Sequence, residues 1–153
     1  MGHSIATLRG LRAASVGTEV GNRTASNDQE IGQILKELKL RPPLASRDKA
    51  VLAGYIEDMR RALTEVARVL KPGGDAVYVV GENTVRGTYI RNAAVVAAVA
   101  ELAGLKLLER RVRTLPANRR YLPPPSFRTN GAVAAFDGRI RREVVLRFTK
   151  QAA

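Results

Sequence analysis

The sequence predicts an α/β fold whose elements follow one another in the order helix, strand, helix, strand, strand. Three observations support this prediction. Apolar residues recur every three or four positions from about 47 to 70, as on one face of a long helix. The run AVYVV at 76–80 is short and apolar throughout, which is typical of a strand covered on both faces. The stretches LKLLERRVRTL and REVVLRFTK have the composition of two further strands.

The long helix has clear limits in the sequence. A proline-rich break, LRPPLAS, precedes it, and Pro72 and Gly73 end it, because proline cannot continue a helix and glycine readily takes the left-handed turn. Two shorter helices are predicted before the break. The first, within residues 1–14, carries Ile5, Leu8 and Leu11 on one face, and the second lies around residues 31–38.

After the AVYVV strand, a helix is predicted from about Thr88 to Ala103, closed by Gly104. A helix between two strands forms a crossover unit, so the strands on either side of it are predicted to be a parallel pair with a right-handed connection. The final strand follows a long loop that has no helical pattern. We therefore expect it to pair in the antiparallel direction at an edge of the sheet.

Size and composition limit the class of protein. A chain of 153 residues with 45% hydrophobic and 26% charged residues fits one globular domain. No apolar run is long enough to span a membrane, and no signal peptide is recognisable, so we expect a cytoplasmic protein without a membrane partner. The absence of cysteine and the single histidine exclude disulfides, thiolate metal sites and multi-histidine metal sites.

Positive charge is concentrated in the second half of the chain. Residues 1–85 carry 12 basic and 10 acidic side chains, whereas residues 86–153 carry 14 basic and 4 acidic ones. Ten of those basic residues between 110 and 147 are arginines. Such a concentration favours phosphate backbones, and arginine adds bidentate contacts to base edges. Binding to DNA or RNA is therefore predicted; the alternative is a protein whose whole surface is arginine-rich.

Ligands of open α/β sheets bind at the carboxyl ends of the parallel strands. Gly81, Glu82 and Asn83 follow the first strand at that edge, and the loop from Pro116 to about Arg139 leaves the second strand at the same edge. The loop offers amide, guanidinium and aromatic groups that suit phosphate binding and base stacking. The candidate nucleic-acid-binding residues are Gly81, Glu82, Asn83, Asn118, Arg119, Arg120, Tyr121 and Arg128. The alternative for the loop is a solvated basic hairpin.

Three segments of the chain resemble a known family. The stretch YIEDMRRALTEVARVLKPGGDAVYVVGEN is similar to the region after the catalytic motif of class I S-adenosylmethionine-dependent methyltransferases. The stretches MGHSIATLRGLRAASVGTEVG and LPANRRYLPPP resemble segments of DNA amino-methyltransferases that modify the exocyclic amine of cytosine or adenine. The resemblance implies the C-terminal part of a Rossmann-like methyltransferase sheet, incomplete by itself. It also implies S-adenosylmethionine as the cofactor of the complete enzyme.

Two family motifs do not occur in this sequence. The catalytic Asp-Pro-Pro-Tyr or Ser-Pro-Pro-Tyr is absent, and RPPL at Arg41 has its prolines without the acid or the aromatic residue. In the family, that motif binds the target amine and stacks on the flipped base. No glycine-rich loop follows a strand, because Gly17 and Gly21 lie in a polar loop. We therefore predict no catalytic residue here, and an isolated chain that is inactive and binds no cofactor.

Three interpretations fit these absences. The chain can be the C-terminal part of a longer enzyme, or one subunit of a methyltransferase assembled from two chains. In both cases residues 1–45 form an irregular helical segment that follows the absent catalytic motif, and residues 46–153 form the C-terminal half of the methyltransferase domain. The third interpretation is a non-catalytic, basic nucleic-acid-binding module derived from that fold. We favour the first, with DNA as the substrate.

Overall fold

The computed structural model describes residues 4–15, 28–116 and 142–151. Within these ranges the predicted alternation of helices and strands is present, with an additional hairpin after the first strand. The elements are α1 (Ile5–Ala13), α2 (Gln29–Glu37), α3 (Ser46–Val69), β1 (Asp75–Gly81), β2 (Asn83–Val85), β3 (Thr88–Ile90), α4 (Asn92–Leu102), β4 (Leu105–Thr114) and β5 (Arg142–Lys150).

The main sheet has three strands in the order β1-β5-β4, and β5 is antiparallel to both neighbours. β1 and β4 therefore run parallel to each other, but the predicted direct pairing between them is wrong, because β5 lies between them. The predicted edge position of the last strand is also wrong. β5 has the most deeply buried side chains of the sheet, Val144, Leu146 and Phe148, whereas β4 is exposed along nearly its whole length. Burial thus places β5 at the centre and leaves β4 as an edge strand.

The Pro-Gly-Gly turn connects α3 to β1, as predicted. Gly73 has a φ of +73°, a conformation that other residues rarely adopt. A Cβ atom at Gly74 would lie 2.9 Å from the Lys71 carbonyl oxygen, so this position has no room for a side chain. The turn is joined to the end of β5, because the Gly73 N–H donates to the Lys150 carbonyl over 2.9 Å and the Lys150 N–H donates to the Gly74 carbonyl over 3.1 Å.

A short antiparallel hairpin, β2–β3, follows β1 and occupies the place of the first turn predicted for the next helix. That helix, α4, begins only at Asn92. Arg86 and Gly87 both have positive φ angles at its tip, +47° and +84°. Two successive residues in this conformation are typical of the tight turns that connect hairpin strands. Thr88 is buried, and its hydroxyl donates to the Pro42 carbonyl over 2.9 Å, which attaches the hairpin to the segment before α3.

One apolar core lies between the helices α2, α3 and α4 and one face of the main sheet. The side chains that are most deeply buried in it come from all four parts and include Ile31, Ile56, Leu63, Val95, Val96, Val99, Leu146 and Phe148. The opposite face of the sheet is not covered by any described residue at β1, where Val77 and Val79 are 60% and 53% exposed. The sheet is therefore covered on one side only at this strand, although the sequence predicts burial on both.

The helix α1 forms where the sequence predicts it. Ser4 caps its first turn by accepting a hydrogen bond from the Thr7 N–H over 3.1 Å. Ile5, Leu8 and Leu11 are all exposed. The apolar face of α1 therefore contacts no core within the part of the chain that the structure describes.

Candidate functional site

A cavity of about 700 Å³ lies between the amino-terminal half of α3 and the β2–β3 hairpin, beside the carboxyl end of β1. Its walls combine apolar side chains with amide, carboxylate, guanidinium and phenol groups. The lining residues are Leu44, Arg47, Asp48, Val51, Leu52, Tyr55, Asn83, Thr84, Val85, Arg86, Ile90 and Asn92. The cavity thus adjoins the strand end where the sequence predicts ligand-binding residues.

Gly81, the first of those residues, is attached to the cavity wall through its main-chain carbonyl. It is the last residue of β1, and its carbonyl accepts a hydrogen bond from the Asn92 Nδ2 over 3.0 Å. Asn92 is the first residue of α4 and lines the cavity. The sequence pattern does not indicate Asn92, because it predicts a helix start four residues earlier, at about Thr88. The Arg86-Gly87 pair was the available sign of a hairpin before the helix.

Tyr55 of α3 lies within the electrostatic influence of Glu82, the residue that follows β1. Burial raises the pKa of Tyr55 above its ordinary value, and the negative charge of Glu82 raises it further. One carboxylate oxygen of Glu82, Oε2, is buried and has no hydrogen-bond partner among the described residues. Tyr55 packs against the core, and it also lines the cavity wall.

Asn83 is exposed at the start of β2 and lines the cavity. Its Oδ1 accepts a hydrogen bond from the Thr84 N–H over 2.7 Å, which leaves the amide nitrogen open to a ligand. Gly81, Glu82 and Asn83 therefore differ in their surroundings. The carbonyl of Gly81 is held by Asn92, one carboxylate oxygen of Glu82 is buried, and Asn83 forms part of the cavity wall.

Charged groups on the cavity wall come from α3 and from the hairpin. The Arg86 Nε lies 2.9 Å from the Asp48 Oδ2, and the Asp48 side chain is only 15% exposed. Arg47 adds a second guanidinium group. The wall can donate hydrogen bonds to a polar or anionic ligand and can accept them from it. No group of His, Cys, Asp or Glu side chains suited to a metal ion occurs within the described ranges, and none of the helices described there is both long and apolar enough to cross a membrane.

The strand residues that flank the basic loop lie at the same end of the sheet as the last residue of β1. Thr114, the last residue of β4, is paired with Arg142, the first residue of β5, and Gly81 is paired with Glu143. The ion pair between Arg113 and Glu143, with 2.7 Å between Nη2 and Oε2, fixes this corner. The predicted loop residues Asn118, Arg119, Arg120, Tyr121 and Arg128 lie outside the described residues.

No family model and no curated protein matches this chain. Its fold is similar to part of two crystal structures of an inferred DNA modification methylase from Thermus thermophilus. The selenomethionine derivative matches with 19% identity and a TM-score of 0.48 over 67% of this chain and 39% of the methylase chain. The complex with S-adenosyl-L-methionine matches with 21% identity and a TM-score of 0.49 over 73% and 44% of the respective chains. This chain therefore spans less than half the length of that methylase.

Proposed function

We propose that this chain is the C-terminal part, or one subunit, of an S-adenosylmethionine-dependent methyltransferase that acts on nucleic acid. The substrate we propose is the exocyclic amine of a DNA base. The observation that carries the proposal is the segment from residue 55 to residue 83. It resembles the methyltransferase family in sequence, and it forms a helix, a Pro-Gly-Gly turn and a strand that ends beside a polar cavity.

The open edge of the sheet favours this proposal over a self-contained binding module. β1 is paired only with β5 in the described part of the chain. A strand that has no partner along one side and no covering layer on one face is expected where a larger sheet has been divided next to it. In the complete enzyme, we propose, the sheet continues beyond β1 as a Rossmann-like sheet, and the added strands bring the glycine-rich loop and the Pro-Pro-Tyr motif.

The cofactor role that we propose for this chain is to complete a site rather than to form one. Glu82 and Asn83 follow β1 at the edge where open α/β sheets bind their ligands. Their carboxylate and amide groups suit the polar parts of a nucleoside such as S-adenosylmethionine or a flipped base. The chain alone has no glycine-rich loop, so the remaining contacts to the cofactor are expected from the missing half.

The nucleic-acid role rests on charge and on the position of the basic loop. The strand residues on either side of the loop, Thr114 and Arg142, pair with each other, and the adjacent Glu143 pairs with Gly81 at the end of β1. Arg119 and Arg120 enter the loop five and six residues after β4. We propose that they bind the phosphates on either side of the target base, with Asn118, Tyr121 and Arg128 as further contacts. RNA is the alternative substrate.

The proposal is tested by transfer of a labelled methyl group from S-adenosylmethionine to unmethylated DNA. The chain is assayed alone and together with a polypeptide that carries the glycine-rich loop and the Pro-Pro-Tyr motif, ideally the one encoded next to it. We expect transfer only by the combination, and loss of transfer when Asn83 is replaced by alanine in it. If the adjoining coding sequence contains neither motif and the chain binds DNA tightly alone, the binding-module interpretation is correct instead.

A further inference from the structure

The outer side of β1 is a strand edge with which no described residue pairs, and its side chains between the two strand ends are uncharged. β1 is paired along its whole length with β5, from Asp75 opposite Thr149 to Gly81 opposite Glu143. No described residue pairs with its other side. The five residues 76–80 between its ends have no charged side chain. Because an edge strand presents unpaired N–H and C=O groups, such an edge can pair with a further strand.

The opposite edge of the same sheet is protected against pairing. β4 carries a row of charged side chains, namely Lys106, Glu109, Arg110, Arg111 and Arg113. Its pairing with β5 is also irregular between Leu107 and Glu109. Charged residues and bulges are the features that keep edge strands from pairing with other chains. β4 has both features, whereas β1 pairs regularly with β5 and carries one charged side chain, Asp75, at its first position. β1 is therefore the edge that is better suited to receive a strand.

The order of residues in β1 indicates which strand could pair with its free side. Ala76, Val77, Tyr78, Val79 and Val80 read nearly the same from either end, with Tyr78 at the centre. A second copy of β1 running antiparallel, with the twofold axis at Tyr78, therefore places Val77 opposite Val79 of the other copy. In that register Ala76 lies opposite Val80, so no charged side chains meet between residues 76 and 80 of the two copies.

Burial and charge both favour this pairing. Val77 and Val79 are 60% and 53% exposed on the uncovered face, so the strand pair would bring four exposed valines together. The segment 72–85 contains no lysine or arginine, so it contributes no positive side chain to the net charge of +12. Asp75 is already paired with Arg147, 2.8 Å from Oδ2 to Nη2, and in the proposed register it faces Gly81 of the other copy. No like charges oppose each other in the strand pair.

From these observations we infer that β1 is a homodimerisation edge, through which two copies of this chain form a continuous six-stranded sheet by antiparallel β1–β1 pairing about Tyr78. The inference does not depend on the proposed function. The edge of β1 can pair with only one further strand. The homodimer therefore forms when the chain is alone, and a partner that completes a methyltransferase sheet would displace the second copy. The contact is small, since it consists of one strand pair and four valines, and the dimer therefore forms in a concentration-dependent manner.

The test measures the monomer–dimer equilibrium of the full chain by sedimentation equilibrium. Two double variants carry the same number of added charges at the same positions. In Val77→Lys/Val79→Lys, like charges face each other across the strand pair, and we expect the dissociation constant to rise at least about tenfold. In Val77→Lys/Val79→Glu, opposite charges face each other in the proposed register, and we expect most of the affinity to return. Val112→Lys, an equivalent change of an exposed valine on β4, is expected to leave the equilibrium unchanged.

Several results would overturn the inference. One is a monomer at all concentrations of the unmodified chain. Another is equal weakening by the two double variants, since this would indicate general surface hydrophobicity rather than a register. Should the variants unfold, amide hydrogen exchange of the unmodified chain decides. Exchange within Ala76–Val80 must slow as the protein concentration rises, and unchanged exchange there would rule out β1 as the contact.

Discussion

The side-chain amide of Asn92 donates a hydrogen bond to the main-chain carbonyl of Gly81 over 3.0 Å, which connects the first residue of α4 to the last residue of β1. The eleven-residue step between them contains the whole β2–β3 hairpin. This bond closes the hairpin at its base and holds the strand end beside the cavity. The position of Glu82 and Asn83 relative to α3 therefore depends on Asn92, which follows them in the chain.

Replacing Asn92 with alanine should lower the free energy of unfolding by about 1 kcal/mol, because a partly buried carbonyl loses its donor. Asn92→Asp should be at least as harmful, since a carboxylate cannot donate to that carbonyl. Urea unfolding followed by circular dichroism measures both effects. The control is Asn83→Ala, because that exposed side chain bonds to the N–H of the adjacent Thr84 and so ties together no distant elements. Equal stability of all three variants would contradict the anchoring role of Asn92.

Tyr55 makes the stability of the protein depend on alkaline pH. Burial, and then the charge of Glu82, raises the pKa of Tyr55 above its ordinary value of 10.0. The unfolded chain therefore loses this proton at a lower pH than the folded chain does. The contribution of Tyr55 to stability is present below about pH 10 and is lost as the pH rises through the folded-state pKa.

The variant Tyr55→Phe should consequently show a smaller decrease in unfolding free energy above about pH 10 than the unmodified chain. Burial also raises the pKa of Tyr78, which contributes to the decrease in both proteins, so the difference between them isolates Tyr55. Glu82→Gln should shift the absorbance titration of Tyr55 towards lower pH, because it removes the second cause of the shift. Superimposable pH profiles of the three proteins would show that Tyr55 is not held in this environment.

The isolated chain should bind S-adenosylmethionine weakly or not at all. Its cavity lacks the glycine-rich loop that approaches such a cofactor through main-chain N–H groups. Titration calorimetry with the purified chain measures the affinity, and S-adenosylhomocysteine is a suitable second ligand. Binding in the micromolar range would mean that the cavity between α3 and the hairpin forms a cofactor site without a contribution from another polypeptide segment. The lining residues Tyr55 and Asn83 would then be the first to replace.

Binding of the chain to DNA should depend on salt, because each neutralised phosphate releases condensed counterions. Replacing Arg119 and Arg120 with alanine should weaken binding and lower the salt slope by roughly one unit for each lost phosphate contact. Fluorescence anisotropy with a labelled duplex, measured over a series of salt concentrations, gives both quantities. A large loss without a change in slope would indicate that the two arginines do not contact phosphates.

The matched control removes two positive charges from the less basic half of the chain. Lys36 and Lys71 are both exposed and suit this purpose. Lys39 does not, because its backbone has a φ of +47°, where alanine would be strained. Lys36→Ala/Lys71→Ala should cost much less affinity than the change at Arg119 and Arg120. Equal losses would mean diffuse attraction by net charge, and the loop would have no special role.

Local patterns in the sequence were sufficient for α3 and β1, two of the elements that position the candidate site. The apolar spacing predicted α3 to within one residue at each end, and the Pro-Gly-Gly turn predicted where β1 begins. The sequence predicted that β1 ends just before Gly81 and α4 just before Gly104, and the structure ends these elements at Gly81 and Leu102. These features are local, because helix periodicity, proline geometry and the positive φ of glycine act within a few residues.

By itself, then, the sequence determined the helices apart from the start of α4, the strands of the main sheet, and the strand end at which the cavity lies. Only the tertiary structure decided that β5 separates β1 from β4, and that Asn92 and Tyr55 belong to the same site as Asn83. Strand order depends on hydrogen bonds between segments far apart in the chain, such as Val80 with Val144. It also depends on which strand buries most apolar surface, a property of the whole core. No local pattern in REVVLRFTK distinguishes a central strand from an edge strand, because that difference arises only when its neighbours on both sides are in place.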